Sequence, residues 1–503
     1  MYRYKIILLF FISLVFSVGV FSQNTYRKYY DNSVIDGNAC LEIAQTAVII
    51  NNNLTLVVVR NNYINVEDTL NYAKVQLDLL LIDSNGNYID TFYIYRKGFH
   101  LRTWDIFKKD SNKILVFCSA LDLVKYKNQN IGDFISIAEL NLNTKQVTFY
   151  DIDLGLGDEL IVKTLRDSNG YTILSQICNQ AIINCDVSIL RIDTNYVVQW
   201  HKIYTYNNNT FENPRDITEL NGDYYFTTTS IQQGGSEFSS VHKLKSTGDT
   251  LNTILVSNAG YDKTRLFSMI SYNNSIYLTG YVDNLINEYP FILEINDNLI
   301  IKRRFIDKTL LYNINSDEIN IKNNFIYLSG TTGEYTIPRE ARNSFSKYDM
   351  NFNKIWTRIY SDSLLTNRGE IIYDVLPLSN NDWMFMGFGT DPNSTIKNQD
   401  AVFVRVDSNG CLYNSCINVG IEDELYFNEI IAYPNPTKDY IYLEHPRHIN
   451  IKSIKIIDIL GNEITGLLND SNKILIQELK QGVYILQLIL DNNEIVNKRF
   501  IKE

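Results

Sequence analysis

The sequence predicts an all-β chain: a seven-bladed β-propeller followed by a small Ig-like β-sandwich. Three observations predict it. A hairpin of apolar strand, polar turn and second strand recurs, its turns beginning at Asp83, Asn141, Asp193, Lys245, Asn296, Asp349 and Asp407, at intervals of 51 to 58 residues. A second hairpin stands upstream of the first in each repeat, with turns such as Asp167-Ser168-Asn169-Gly170, Asn273-Asn274 and Asn323-Asn324. Beyond Cys416 the period stops and a different run of short strands begins. A repeat near fifty residues, built of several short strands, is the pattern of a propeller with about one blade per unit.

The elements follow in chain order. Arg3 and Lys5 precede an uncharged stretch, Ile6–Phe21, that is short and interrupted for a membrane span. Val20 and Ser22 suit a signal-peptide cleavage between Ser22 and Gln23, so residues 1–22 are expected to be removed. Thr25–Tyr30 resembles the last strand of the repeats, such as Ile355–Tyr360, and the seventh hairpin has a weak second strand. Tyr26–Tyr30 is therefore expected to complete blade seven, which removes the edges that an open array would expose. Each blade reads as four strands, A to D. Their A–B and C–D turns are rich in Asn, Asp and Gly, which accept the left-handed backbone of tight hairpins. Antiparallel order puts those turns on one face of the disc. The longer B–C loops and the crossings between blades fall on the other, where recognition is expected. Gly280, Gly330, Gly387, Ser119 and Ser230 end strand B, and read as small because blades converge on the axis. The propeller is expected over 23–417, a linker over 418–429 and a second domain over 430–503.

Composition narrows the class. The chain of 503 residues is 45% apolar and 13% aromatic, with 35 tyrosines and 8 prolines, which favours half-buried strands. A formal charge of −11 excludes nucleic acid as a partner, because phosphate binding needs a basic stripe. Export makes the cysteines candidates for disulfides. Cys178 with Cys185 and Cys411 with Cys416 are the expected bridges, with Cys40 and Cys118 as a less certain third.

The last segment carries Tyr433-Pro434-Asn435-Pro436-Thr437, then Tyr440–Leu443, Ile456–Glu463 around Gly461, Leu479–Leu486 with Gly482 and Tyr484, and a basic close of Lys498-Arg499-Phe500-Ile501-Lys502. In order, spacing and position it resembles the type A C-terminal sorting domain of type IX secretion substrates of the Bacteroidetes. The resemblance covers about a seventh of the chain. It implies recognition by an outer-membrane translocon, then attachment to surface lipopolysaccharide or release, so the protein is expected outside the cell after passing the periplasm. The propeller region also looks like repeats found beside such tails, which imply no uniform activity.

The sequence holds no Gly-x-Ser-x-Gly, His-Glu-x-x-His or phosphate loop. No catalytic or cofactor-binding residue is assigned, and no cofactor is implied. With no Cys-x-x-Cys and scattered histidines, zinc is not expected; calcium at the acidic cluster Asp151, Asp153, Asp158 and Glu159 is the alternative to a solvated acidic loop, which is the simpler reading. Tyr63, Tyr126, Tyr261, Tyr289 and Tyr335 fall on the loop face and could stack on sugars, whereas Trp104, Trp200, Trp356 and Trp383 read as core. The expected function is a secreted or surface-displayed binding or adhesion module for an extracellular glycan or protein. The alternative is a propeller enzyme acting on polysaccharide or peptide.

Overall fold

The protein is described by a computed structural model covering residues 25–30, 40–67, 73–123, 132–155, 158–179, 184–205, 211–231, 237–257, 261–284, 287–309, 313–314, 317–333, 341–360, 371–389, 400–412, 430–445, 451–458, 462–464, 468–470, 473–490 and 495–503. Two compact units divide the chain, Met1–Cys416 and Ile417–Glu503. Among the described residues every named element is a strand.

The first unit is built from seven antiparallel sheets. Six run A-B-C-D in chain order. In the sixth blade strand A is broken into Asn313–Ile314 and Glu318–Lys322, both paired with Phe325–Gly333. The seventh sheet takes Ile371–Pro377, Trp383–Gly389 and Asp400–Val406 from the end of the repeat region and Tyr26–Tyr30 from its start. The register Tyr26↔Arg405 to Tyr30↔Ala401 closes the ring with strands from both ends.

Strands B and C carry most of the buried residues, apolar in some blades and mixed with buried Ser and Thr in others, as in Asp223–Ile231. Each is buried on both faces, and alternate residues enter different cores. In Lys113–Asp122, Ile114, Val116 and Cys118 pack toward blade one, while Leu115 and Phe117 pack toward blade three. Seven apolar clusters result, one in each interface between neighbouring blades. The cluster of Tyr26, Ala44, Val57, Leu80, Met386 and Phe403 joins blade seven to blade one. D strands form the outer rim and are largely exposed, as in Thr250–Val256.

The C–D turns are the repeated hairpin. A side-chain oxygen at the turn's first residue accepts backbone N–H groups, as Asp193 does from Asn195 and Val197 at 2.8 and 2.9 Å. Each of the seven turns then has a residue at positive φ: Gly86, Lys145, Tyr196, Gly248, Leu299, Phe352 and Gly410. Two solutions fill the space beside it. Leu299 and Phe352 insert their own side chains into the preceding interface and are almost fully buried. Where glycine stands, an aromatic ring of the preceding blade covers it. A Cβ on Gly248 would lie 2.9 Å from the Trp200 ring, and one on Gly410 would lie 2.8 Å from Trp356.

Three expectations change. Cys118 is a free thiol inside the blade one–two core, 3.5 Å from the Thr103 hydroxyl, so it forms no bridge with Cys40. Gly280 and Gly387 are small because the bulge of their own strand A brings a carbonyl against them, a reason other than convergence on the axis. A Cβ on Gly280 would stand 1.8 Å from the Arg265 carbonyl, and one on Gly387 1.9 Å from that of Ile371. Trp104 is not core; it is the extra residue of such a bulge and is 39% exposed.

The second unit is a two-sheet β-sandwich. One sheet orders Ile431–Tyr433, Tyr440–Glu444, Lys473–Leu475 and Leu468–Asp470; the other orders Glu463–Ile464, Ile451–Asp458, Gly482–Leu490 and Ile495–Lys502. Ile441, Leu443, Ile456, Leu486, Leu488 and Phe500 fill the space between them.

Candidate functional site

Strand A of each blade touches strand A of the next, and that of blade seven touches that of blade one, so these strands ring the axis. Most carry a bulge where two residues oppose one on strand B. The bulges fall at Ala44/Thr46, Thr103/Asp105, Ile161/Lys163, Pro214/Asp216, Leu266/Ser268 and Ile372/Asp374. A bulge re-aims side chains and bends the strand. Here it turns a polar residue toward the axis, with Glu318 at the matching position of blade six.

The result is four carboxylates, Asp105, Asp216, Glu318 and Asp374, around one cation, Lys163. Lys163 lies 3.6 Å from Asp105 and is 43% exposed. It also feels Asp216, Asp374 and Glu318, which belong to three other blades whose A strands ring the same axis. Asp105 holds the Lys163 proton firmly, raising its pKa against the effect of burial. Burial raises the pKa of Asp105 and Asp216, with Lys163 opposing. Burial, reinforced by Asp374, does the same to Glu318.

These carboxylates also sew blades together. Asp105 accepts the Thr164 N–H of blade three at 2.6 Å, and Asp216 accepts the Met269 N–H of blade five at 2.7 Å. Nearer the B–C face, the Ser119, Ser239 and Asn343 side chains accept the N–H groups of Ile161, Leu266 and Ile372. The unpaired edge of strand A thus finds partners across the blade gap.

Toward the B–C face the channel changes character. Arg60 from strand B of blade one stands near His100 and Arg102 from strand A of blade two, close enough that both arginines disfavour a charge on His100. Burial, and after it those arginines, bring the His100 pKa down to about 4, so it is neutral at pH 7. Arg102 reaches Asp133 at 3.4 Å. Burial pushes the Asp133 carboxyl up to about 6, against Arg102 and with help from Asp158. Trp104 and Tyr373 are the extra residues of the blade two and blade seven bulges, and Tyr373 is 55% exposed. Tyr373 interacts electrostatically with Arg60. Sequence reasoning missed this group because its members lie far apart in the chain, and no turn residue marks a strand-A bulge.

The sequence-predicted residues distribute differently. Cys178 and Cys185 form a disulfide at the B–C end of blade three, directly opposed with Cα atoms 4.1 Å apart. Cys411 is buried, and its expected partner Cys416 lies outside the described residues. So do Ser22, Gln23, Gly461 and the linker at 418–429. The acidic cluster points in different directions. Asp151 pairs with Arg96 through both oxygens, Asp153 accepts the Gly155 N–H, and Glu159 turns inward to Ser175 and Ser188. Ser188 also meets His201 Nε2 at 2.9 Å, but it is fully buried and out of reach of a substrate. Tyr261 and Tyr289 meet edge to face at 6.3 Å; the side chains of Tyr63, Tyr126 and Tyr335 lie outside the described residues.

In the tail, the Pro434-Asn435-Pro436-Thr437 segment is clipped to the last strand. Asn435 donates to the Arg499 carbonyl and accepts the Ile501 N–H at 3.1 and 3.0 Å. Thr437 donates its N–H to Ile501 and accepts that of Glu503. Tyr484 stacks on Phe500 and donates its hydroxyl to the Lys480 carbonyl. Gly482 packs against the Tyr484 ring, and Lys498 pairs with Leu486 in the same sheet.

Residues 431–503 match the family described as the secretion system C-terminal sorting domain. Together with the repeated sheets, this defines a β-propeller protein with a type IX secretion tail. The tail directs the chain through the periplasm to the cell surface or extracellular space, where it engages the type IX machinery on the way. No curated protein matches the chain. Among solved structures it is similar to the β-propeller domain of the Trilobed protease from Pyrococcus furiosus, at 10% identity over 76% of this chain and 99% of that one, with a TM-score of 0.42. It is similar to the Pyrococcus horikoshii acylaminoacyl peptidase, at 9% identity over 82% and 59%, TM-score 0.43. It is also similar to a β1,3-galactosidase, at 12% identity over 49% and 91%, TM-score 0.32.

Proposed function

We propose that this is a binding or adhesion protein displayed or released outside the cell, whose propeller takes an extracellular ligand at the B–C end of its axial channel. One observation carries the reading. Two large aromatic side chains, Trp104 and Tyr373, stand exposed on the innermost strands, where packing alone would bury them. Exposed aromatics beside polar groups on a rigid concave scaffold are a recognition surface. The tail serves as secretion and anchoring signal, with surface lipopolysaccharide as the attachment point in anchored protein. Cleavage after Ser22 and a second bridge between Cys411 and Cys416 belong to the same proposal, as does the partition into propeller, linker and sorting domain.

A second reading keeps the enzyme alternative. Asp133 holds its proton up to about pH 6 beside Arg102, as a general acid would. The test is to offer the mature protein, residues 23–503, to glycan and protein arrays and to assay each ligand for turnover. Retention without turnover is the expected result. Robust hydrolysis of any polymer, lost in Asp133→Asn, would replace binding by catalysis.

A further inference from the structure

The junction of blades seven, one and two carries a charge that the fold does not explain. The chain as a whole is at −11 and its axis carries four carboxylates, so the two arginines of this junction, Arg60 and Arg102, form a local exception. Arg60 Nε is buried without a hydrogen-bond partner, and Arg60 lies within electrostatic reach of Arg102. Burial disfavours the Arg60 cation, and the like charge of Arg102 adds to that effect. A buried guanidinium N–H without an acceptor costs free energy that a bound anion would recover.

The charge is small and local. His100 is neutral at pH 7, and Asp133 offsets Arg102. Asp158, which acts on Asp133, lowers the local charge further, so no broad cationic surface forms here. That suits a single carboxylate better than a polyanion, and Arg forks match carboxylate geometry through two parallel N–H donors. The neighbouring groups are flat and apolar: Trp104 on one side of blade one and Tyr373 on the other, both exposed on bulged inner strands. Such faces pack against the C–H side of a ring.

Resting on the binding function proposed above, we propose that this junction binds an acidic sugar, with Arg60 and Arg102 taking its carboxylate and Trp104 and Tyr373 flanking its ring. The requirement is therefore a uronic-acid residue, at a chain end or within an oligosaccharide slim enough to enter the channel mouth.

The test titrates the mature protein with three probes: an oligogalacturonate, a sulfated oligosaccharide of similar length, and a neutral oligogalactoside. Calorimetry gives affinity, and tryptophan emission reports on Trp104. The oligogalacturonate should bind and shift the emission, and the neutral probe should bind at least tenfold more weakly. Arg60→Gln should lose at least tenfold in affinity for the oligogalacturonate, and Trp104→Phe should abolish the emission change with a smaller loss. Tighter binding of the sulfated probe would overturn the carboxylate assignment. Equal binding of the neutral probe, untouched by Arg60→Gln, would overturn the anionic class while leaving the binding function standing. No binding of any probe by the wild-type protein would overturn the acidic-sugar assignment without touching the array result, which judges the broader function separately.

Discussion

Single residues decide how the blades meet. At Gly248 the backbone φ is +80°, and the Trp200 ring lies where a Cβ would go. Leu299 and Phe352 solve the same problem in reverse, by pushing their side chains across. Gly248→Ala combines left-handed strain with a ring displacement, so it should destabilise the propeller by about 1–3 kcal/mol, read as a lowered midpoint in thermal unfolding. An unchanged midpoint would mean that Trp200 moves aside freely. Lys163 is a different kind of residue, a lone counter-charge to four axial carboxylates. Asp105, Asp216 and Glu318 have pKa values raised in the fold, so their contribution to stability is full below the unfolded carboxylate range and is lost as pH rises through the folded values. Removing Lys163 should deepen that loss. Lys163→Met is expected to cost about 1–2 kcal/mol at pH 7–8, discounted for its exposure, and progressively less on acidification. Denaturant titrations across pH check both size and sign; a deficit that grows toward acid would contradict the axial arrangement.

At the scale of elements, the repeated hairpins were legible because their turns need particular residues. Asp83, Asp193, Asp349 and Asp407 each accept two backbone N–H groups, and that need is written as a recurring Asx at a fixed interval. The end strand Tyr26–Tyr30 was legible through its likeness to Ile355–Tyr360. The Cys178–Cys185 bridge followed from the shortness of its loop. The bulges of strand A were not legible. They depend on the approach of two blades, and the residues they expose differ from blade to blade: Trp104, Val162, Arg215, Phe267 and Tyr373 occupy equivalent places. A site built from such positions has no common spelling. Trp104 was misread for that reason, since a tryptophan in a strand is usually core. The disulfide gives a prediction at this scale. It closes a loop of only seven residues, so Cys178→Ser with Cys185→Ser should cost at most about 2–3 kcal/mol and leave the fold intact. Peptide mass mapping of exported, non-reduced protein should find the two cysteines linked; free thiols there would contradict the pairing.

The whole molecule combines a closed ring with an address. The ring has no open sheet edge at its seam, because Tyr26–Tyr30 covers Asp400–Val406. The address is the sandwich of the last segment, whose Asn435 and Thr437 fasten its start to its final strand. Their bonds explain why the Pro-Asn-Pro-Thr pattern and the chain end occur together. The two compact units divide at Cys416 and Ile417, so truncation is expected to separate export from the proposed ligand binding. The most direct measurement is cell fractionation of a type IX-competent host expressing either the full chain or the chain lacking Ile430–Glu503. The account predicts full-length protein at the surface or in the medium and the truncated form, folded and protease-resistant, in the periplasm. Truncated protein appearing at the surface in equal amount would contradict it.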